Sequence, residues 1–114
     1  GYKLECAQFG LFGKGIYFSS TSSKCDNFSI LLKNSDGINY KVMILNSVAL
    51  GRIYKPTEND FTLTSPPPGY DSVCGDPNTV KNLNDLKFDE IIVYKEEASI
   101  PQFLIVYQPE INIE

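Results

Sequence analysis

The chain has 114 residues, room for one domain and not two. Its formal net charge of −4, ten basic against fourteen acidic residues, argues against a surface built to track a phosphate backbone, which needs concentrated positive charge. Three cysteines with no CxxC spacing, and no histidine anywhere, argue against a disulfide framework and against zinc, and for a reducing intracellular compartment, nucleus or cytoplasm.

Residues 1–12 are short and mixed, with no clear period. Residues 13–20 read as a Gly-rich turn followed by a short strand. The Thr21-Ser22-Ser23 opening supplies N-cap candidates for a helix that runs to Lys33, with Cys25, Phe28, Leu31 and Leu32 on one face. Asn34 to Gly37 ends it. Ile38 to Leu50 is the longest apolar stretch and reads as a buried strand, followed by a short strand at Arg52-Ile53-Tyr54. Pro66-Pro67-Pro68-Gly69 is a rigid loop spacer, since proline cannot donate to a ladder. Cys74 to Leu86 is a polar loop. Residues 90–95 and 102–108 are two further strands, with Pro101 at the mouth of the second. One helix and four or five strands make a mostly β protein with too little material to cover both faces of a sheet. No apolar run approaches the roughly 20 residues needed to span a bilayer, and no membrane partner is expected.

Three segments carry a family pattern. The first is Phe12-Gly13-Lys14-Gly15-Ile16-Tyr17-Phe18, with Lys24 seven residues beyond Tyr17. The second is Val48-Ala49-Leu50-Gly51-Arg52-Ile53-Tyr54, followed by residues 66–75, Pro-Pro-Pro-Gly-Tyr-Asp-Ser-Val-Cys-Gly. The third is Asp89-Glu90-Ile91-Ile92-Val93-Tyr94, closed by residues 100–107. Together, in this order, they resemble the C-terminal part of the poly(ADP-ribose) polymerase and tankyrase type of ADP-ribosyltransferase catalytic domain, with a wording closest to fungal-type members.

The resemblance implies an α+β fold, a split β-sheet that clamps NAD⁺ as a substrate, with no metal. It implies a His-Tyr-Glu triad in which Tyr17 and Glu90 are the catalytic tyrosine and glutamate. It places Phe28 where a tyrosine usually stacks on nicotinamide, Cys25 where a serine usually holds the nicotinamide amide, and Lys24 on a lysine beside that serine. Gly15 and Phe18, in the first segment, join Tyr17 as NAD⁺-contacting positions. The physics agrees: nicotinamide is flat and cationic in NAD⁺, suited to a slot between Tyr17 and Phe28. Glycines before Tyr17 allow close backbone approach to a ligand. Cleavage of the nicotinamide–ribose bond builds positive charge on the ribose, which a carboxylate such as Glu90 stabilises. Each residue also has a plainer reading: Tyr17, Phe28 and Cys25 as core, Glu90 and Lys24 as solvated charges.

The triad histidine belongs in a His-Gly-Ser/Thr segment well upstream of the Gly-Lys-Gly turn, and this chain has no histidine. The expectation is therefore a single domain over residues 1–114 that is the C-terminal portion of a catalytic domain, its site completed by an upstream segment or another chain. Three functions are in view. The first is transfer of ADP-ribose from NAD⁺ to a protein or nucleic-acid acceptor with release of nicotinamide. The second is a non-catalytic module that binds NAD⁺, ADP-ribose or a protein partner. The third, RNA 2′-phosphotransfer, is disfavoured by the acidic balance and by Arg52 being the one arginine.

Overall fold

The computed structural model describes residues 2–6, 10–80 and 88–109. Among these residues eight strands form one mixed sheet that carries one α-helix, the mostly β, α+β architecture expected of the family pattern. The strands are β1 (Tyr2–Glu5), β2 (Ile16–Ser19), β3 (Leu32–Lys33), β4 (Asn39–Val48), β5 (Ile53–Tyr54), β6 (Ser72–Gly75), β7 (Glu90–Val93) and β8 (Ser99–Tyr107); the helix α1 spans Ser22–Phe28. The order is β3-β4-β1-β2-β7-β6-β5, with β8 paired to β4. All neighbours are antiparallel except β5 and β6.

The centre of the sheet is buried on both sides, which is why β7 is uniformly apolar after Glu90. On one face Tyr17 and Ile92, cross-strand partners, pack with Phe12, Val73 and Val80. On the other, Phe18, Ile91 and Val93 pack with Val48. Because side chains alternate along a strand, Glu90 shares the Tyr17–Ile92 face.

Several local expectations are corrected. The helix stops at Phe28, not Lys33. Ser29 turns its hydroxyl back to the Cys25 carbonyl and its N–H to the Asp26 carbonyl, and Leu32 and Lys33 then pair with Tyr40 and Asn39 as β3. Asn34 to Gly37 is therefore a hairpin turn: the Asn34 side-chain oxygen accepts the Asp36 and Ile38 N–H groups, and Gly37 takes φ 79°. Residues 2–5, without a legible period, form β1 between β2 and β4. Cys74 and Gly75 extend β6 rather than opening a loop, and much of the rest of that expected loop, residues 81–86, lies outside the described residues. Pro101 sits inside β8, beside the register shift between Leu45 and Asn46 on β4. It is tolerated there because β8 has no strand on its other edge among the described residues. Ile100, Phe103, Leu104 and Val106 of β8 are exposed.

Candidate active site

The Gly-Lys-Gly segment is a tight turn clasped onto the tyrosine that follows it. Gly13 adopts φ 82°, a left-handed conformation that glycine takes without strain. The Phe12 N–H donates to the Tyr17 hydroxyl at 3.0 Å, and that hydroxyl donates to the Gly13 carbonyl at 2.7 Å. The Tyr94 hydroxyl donates to the Phe12 carbonyl at 2.7 Å, tying the turn to the end of β7. Burial is the main cause that pushes the Tyr17 phenol from 10.0 up to about 12; the Phe12 N–H lowers it and the nearby Glu90 charge raises it.

The glycines also serve the chain's own packing. A Cβ on Gly10 would collide with the Tyr17 ring, one on Gly13 with the backbone of Leu63, and one on Gly15 with Ile92 and Tyr94. Gly10→Ala is accordingly expected to destabilise the chain by about 1–3 kcal/mol through overpacking. It should also shift the Tyr17 titration; a denaturation midpoint equal to the parent's would contradict this packing.

Opposite this turn, Glu90 begins β7. It is buried, and its Oε1 lies 2.8 Å from the Lys24 ammonium, also buried. This pair spans 66 positions of sequence and joins α1 to the sheet face that carries Tyr17. Next to it, the Asp89 carboxylate accepts the Ser19 hydroxyl at 3.1 Å and the Ser20 hydroxyl at 2.8 Å, strapping the β2–α1 junction to the start of β7. Lys24, read from sequence as either a site lysine or a solvated charge, is thus an internal partner of the glutamate.

Cys25 is not free. It forms a disulfide with Cys6, just after β1, across a Cα–Cα distance of 4.8 Å, and Cys74 is the free cysteine. The expectation of unpaired cysteines fails because β1 was not legible, so nothing placed Cys6 beneath α1. As a disulfide sulfur, Cys25 has no proton to offer an amide oxygen. Phe28, at the end of α1, is 43% exposed and lines a groove with Cys25, Ile30 and Leu32. Tyr17 is enclosed in the apolar cluster around Phe12. Phe18 faces away from Tyr17, in the opposite core. Tyr17, Lys24 and Glu90 are therefore brought together, whereas Phe28 and Cys25 stand on the helix beside them and Phe18 behind the sheet.

Asp26, the next residue of α1, accepts the Tyr107 hydroxyl and the Lys41 ammonium. The Tyr107 hydrogen bond first, then Lys41, hold its carboxyl below the usual range. Among the described residues no group of three or more His, Cys, Asp or Glu residues could hold a metal ion.

Tyr17 and the buried Glu90 share one face of the central β2–β7 pair, within the segments that carry the resemblance to ADP-ribosyltransferases. A family model for the poly(ADP-ribose) polymerase catalytic domain matches residues 3–105. Protein mono-ADP-ribosyltransferase PARP4 of Homo sapiens is 37% identical over 104 residues, 91% of this chain and 6% of that protein. Protein mono-ADP-ribosyltransferase PARP3 of Homo sapiens is 42% identical over 113 residues, 98% of this chain and 20% of that protein. The Mus musculus PARP4 is 34% identical over 104 residues, 91% of this chain and 5% of that protein. The chain belongs to the poly(ADP-ribose) polymerase catalytic domain family, and it spans between 5% and 20% of the length of these relatives.

Proposed function

We propose that this chain forms the tyrosine–glutamate side of an NAD⁺ site and takes part in transfer of ADP-ribose to an acceptor, with release of nicotinamide. The observation that carries the reading is the buried Glu90, held at 2.8 Å by Lys24 on the face that bears Tyr17. Burying two charges is costly and adds little net stability over apolar packing, so a structural role alone is a weak reason to keep them.

In the proposed reaction the nicotinamide–ribose bond breaks and its electron pair leaves with the nicotinamide nitrogen. The ribose carbon becomes cationic in character. The Glu90 carboxylate stabilises that charge through the ribose hydroxyls and orients the incoming acceptor. Lys24 anchors one carboxylate oxygen, so the group needs no reorganisation as charge develops. Phe28 offers a partly exposed ring for nicotinamide, without a hydroxyl of its own. The relatives are named protein mono-ADP-ribosyltransferases, which favours a protein acceptor and a single transferred unit here.

The triad histidine is not among these 114 residues, so the proposed enzyme draws it from another segment or chain. The Tyr17 hydroxyl, already occupied by its own turn, favours a second reading, a module that binds NAD⁺ or ADP-ribose without chemistry. Nicotinamide release from labelled NAD⁺, by this chain and by the chain joined to a histidine-bearing segment, separates the two. Under the enzyme reading, Glu90→Gln is expected to lower release by about 100-fold or more, the scale of losing an electrostatic stabiliser. Equal release by parent and variant would sink the role of Glu90. A thermal shift with NAD⁺ but no release in any form would support the module.

A further inference from the structure

Three consecutive residues of α1 each tie the helix to a different element. Lys24 reaches Glu90 on β7, Cys25 is bonded to Cys6 after β1, and Asp26 holds Lys41 of β4 and Tyr107 of β8. The helix needs these ties. It has seven residues, no side-chain cap at Thr21, no acidic residue in its first turn and no basic residue in its last, and a helix this short is not stable by itself. Of the three ties one is covalent and chemically reversible. It also reaches the site at both ends: the Cys6 N–H donates to the Tyr17 carbonyl at 2.9 Å, and Cys25 directly follows Lys24.

We propose that Cys6–Cys25 is a thiol–disulfide exchange site whose redox state sets the position of α1 and, through Lys24 and Phe28, the grip of the site on NAD⁺. The inference rests on the NAD⁺ reading above. The reductant is a dithiol. One of its thiolates attacks a disulfide sulfur to give a mixed disulfide, and its second thiol displaces the protein sulfur. Two electrons and two protons pass to Cys6 and Cys25, which become thiols, and the dithiol leaves as a disulfide. Both cysteines are buried, so exchange proceeds through opening of α1, and the helix reports the reaction directly. The Leu4 carbonyl, 3.8 Å from the Cys6 sulfur and 3.5 Å from the Cys25 sulfur, is an acceptor for a thiol proton once the two sulfurs separate.

The test uses the full chain, oxidised or treated with dithiothreitol, with thiols counted by alkylation and intact mass. Oxidised protein should take one label, at Cys74, and reduced protein three. Amide hydrogen exchange over residues 22–28 should become about tenfold faster or more on reduction, NAD⁺ binding should weaken several-fold, and reoxidation with diamide should reverse both. Cys6→Ser should match the reduced protein and ignore dithiol; should it fail to fold, the parent compared with and without dithiothreitol decides alone. Three labels in untreated protein kept under air, or unchanged exchange in α1 after confirmed reduction, would overturn the proposal. Faster exchange in α1 with equal NAD⁺ binding in the two states would overturn its control of the site. A redox response in α1 with no NAD⁺ binding in either state would overturn the NAD⁺ reading and leave the redox tie between α1 and β1 standing.

Discussion

Replacing Lys24 by methionine is expected to lower the unfolding free energy by about 3–5 kcal/mol, because it takes the cation from a buried carboxylate while leaving the carboxylate in place. Both groups are buried and 2.8 Å apart, so little solvent screens the change. Methionine is one heavy atom shorter and otherwise similar in shape, so the change falls mainly on the charge. The double variant Lys24→Met with Glu90→Gln removes both charges. It should recover most of the loss, since an apolar or neutral pair in the same space needs no desolvation of ions. Chemical denaturation of the four proteins of this cycle measures the coupling. A loss below about 1 kcal/mol in the single variant would mean that water already reaches the pair. A double variant as unstable as Lys24→Met alone would place the effect in packing of α1 rather than in charge.

This pairing marks where sequence reasoning reached its limit. The family pattern located Tyr17 and Glu90 because each sits in a short stretch whose neighbours are as distinctive as itself, and strand pairing then placed Tyr17 opposite Ile92, two residues from Glu90. Lys24 and Glu90 lie 66 positions apart, and no local signal couples them. Only the antiparallel pairing of β2 with β7 does so. Cys6 and Cys25 show the same limit: β1 is four residues long and mixed in composition, so the strand that carries Cys6 to the helix was invisible. The helix was overextended for a different reason. Leu31 and Leu32 continue the helical spacing of Cys25 and Phe28, but they are exposed, and the Asn34–Gly37 hairpin recruits Leu32 into a strand. The spacing was real and the hairpin competed for it. Glycine has a packing role here that its place in the sequence does not announce. Gly10 and Gly15 allow close approach within the chain itself, of Tyr17 in one case and of Ile92 with Tyr94 in the other.

The turn that clasps Tyr17 makes a second strong prediction. Phe12 is fully buried, lies in the cluster with Tyr17, Val73, Val80 and Ile92, and fills the space that a side chain on Gly75 would occupy. Phe12→Ala is expected to destabilise the chain by about 3–5 kcal/mol, the scale for emptying a buried aromatic site that the rigid sheet behind it cannot fill. The same cavity should change the titration of Tyr17. Its phenol stands near 12 rather than 10.0 chiefly because burial disfavours the anion, and water entering beside the ring relieves that. The sign follows from linkage. A phenol whose folded pKa exceeds its unfolded value contributes stability that is fully present below the unfolded value. That contribution is lost as pH rises toward the folded value. For Tyr17 the window runs from about pH 10 to about pH 12, and the raised phenol of Tyr94, also displaced mainly by burial, acts in the same direction. The parent should therefore lose stability steeply above pH 10. Phe12→Ala should be less stable at neutral pH, with the Tyr17 part of that slope reduced. Ultraviolet difference titration combined with denaturation at several alkaline pH values reads both effects. A variant with the parent's full alkaline slope would show that the Tyr17 hydroxyl is shielded by its bonds to the Phe12 N–H and the Gly13 carbonyl, not by the ring of Phe12.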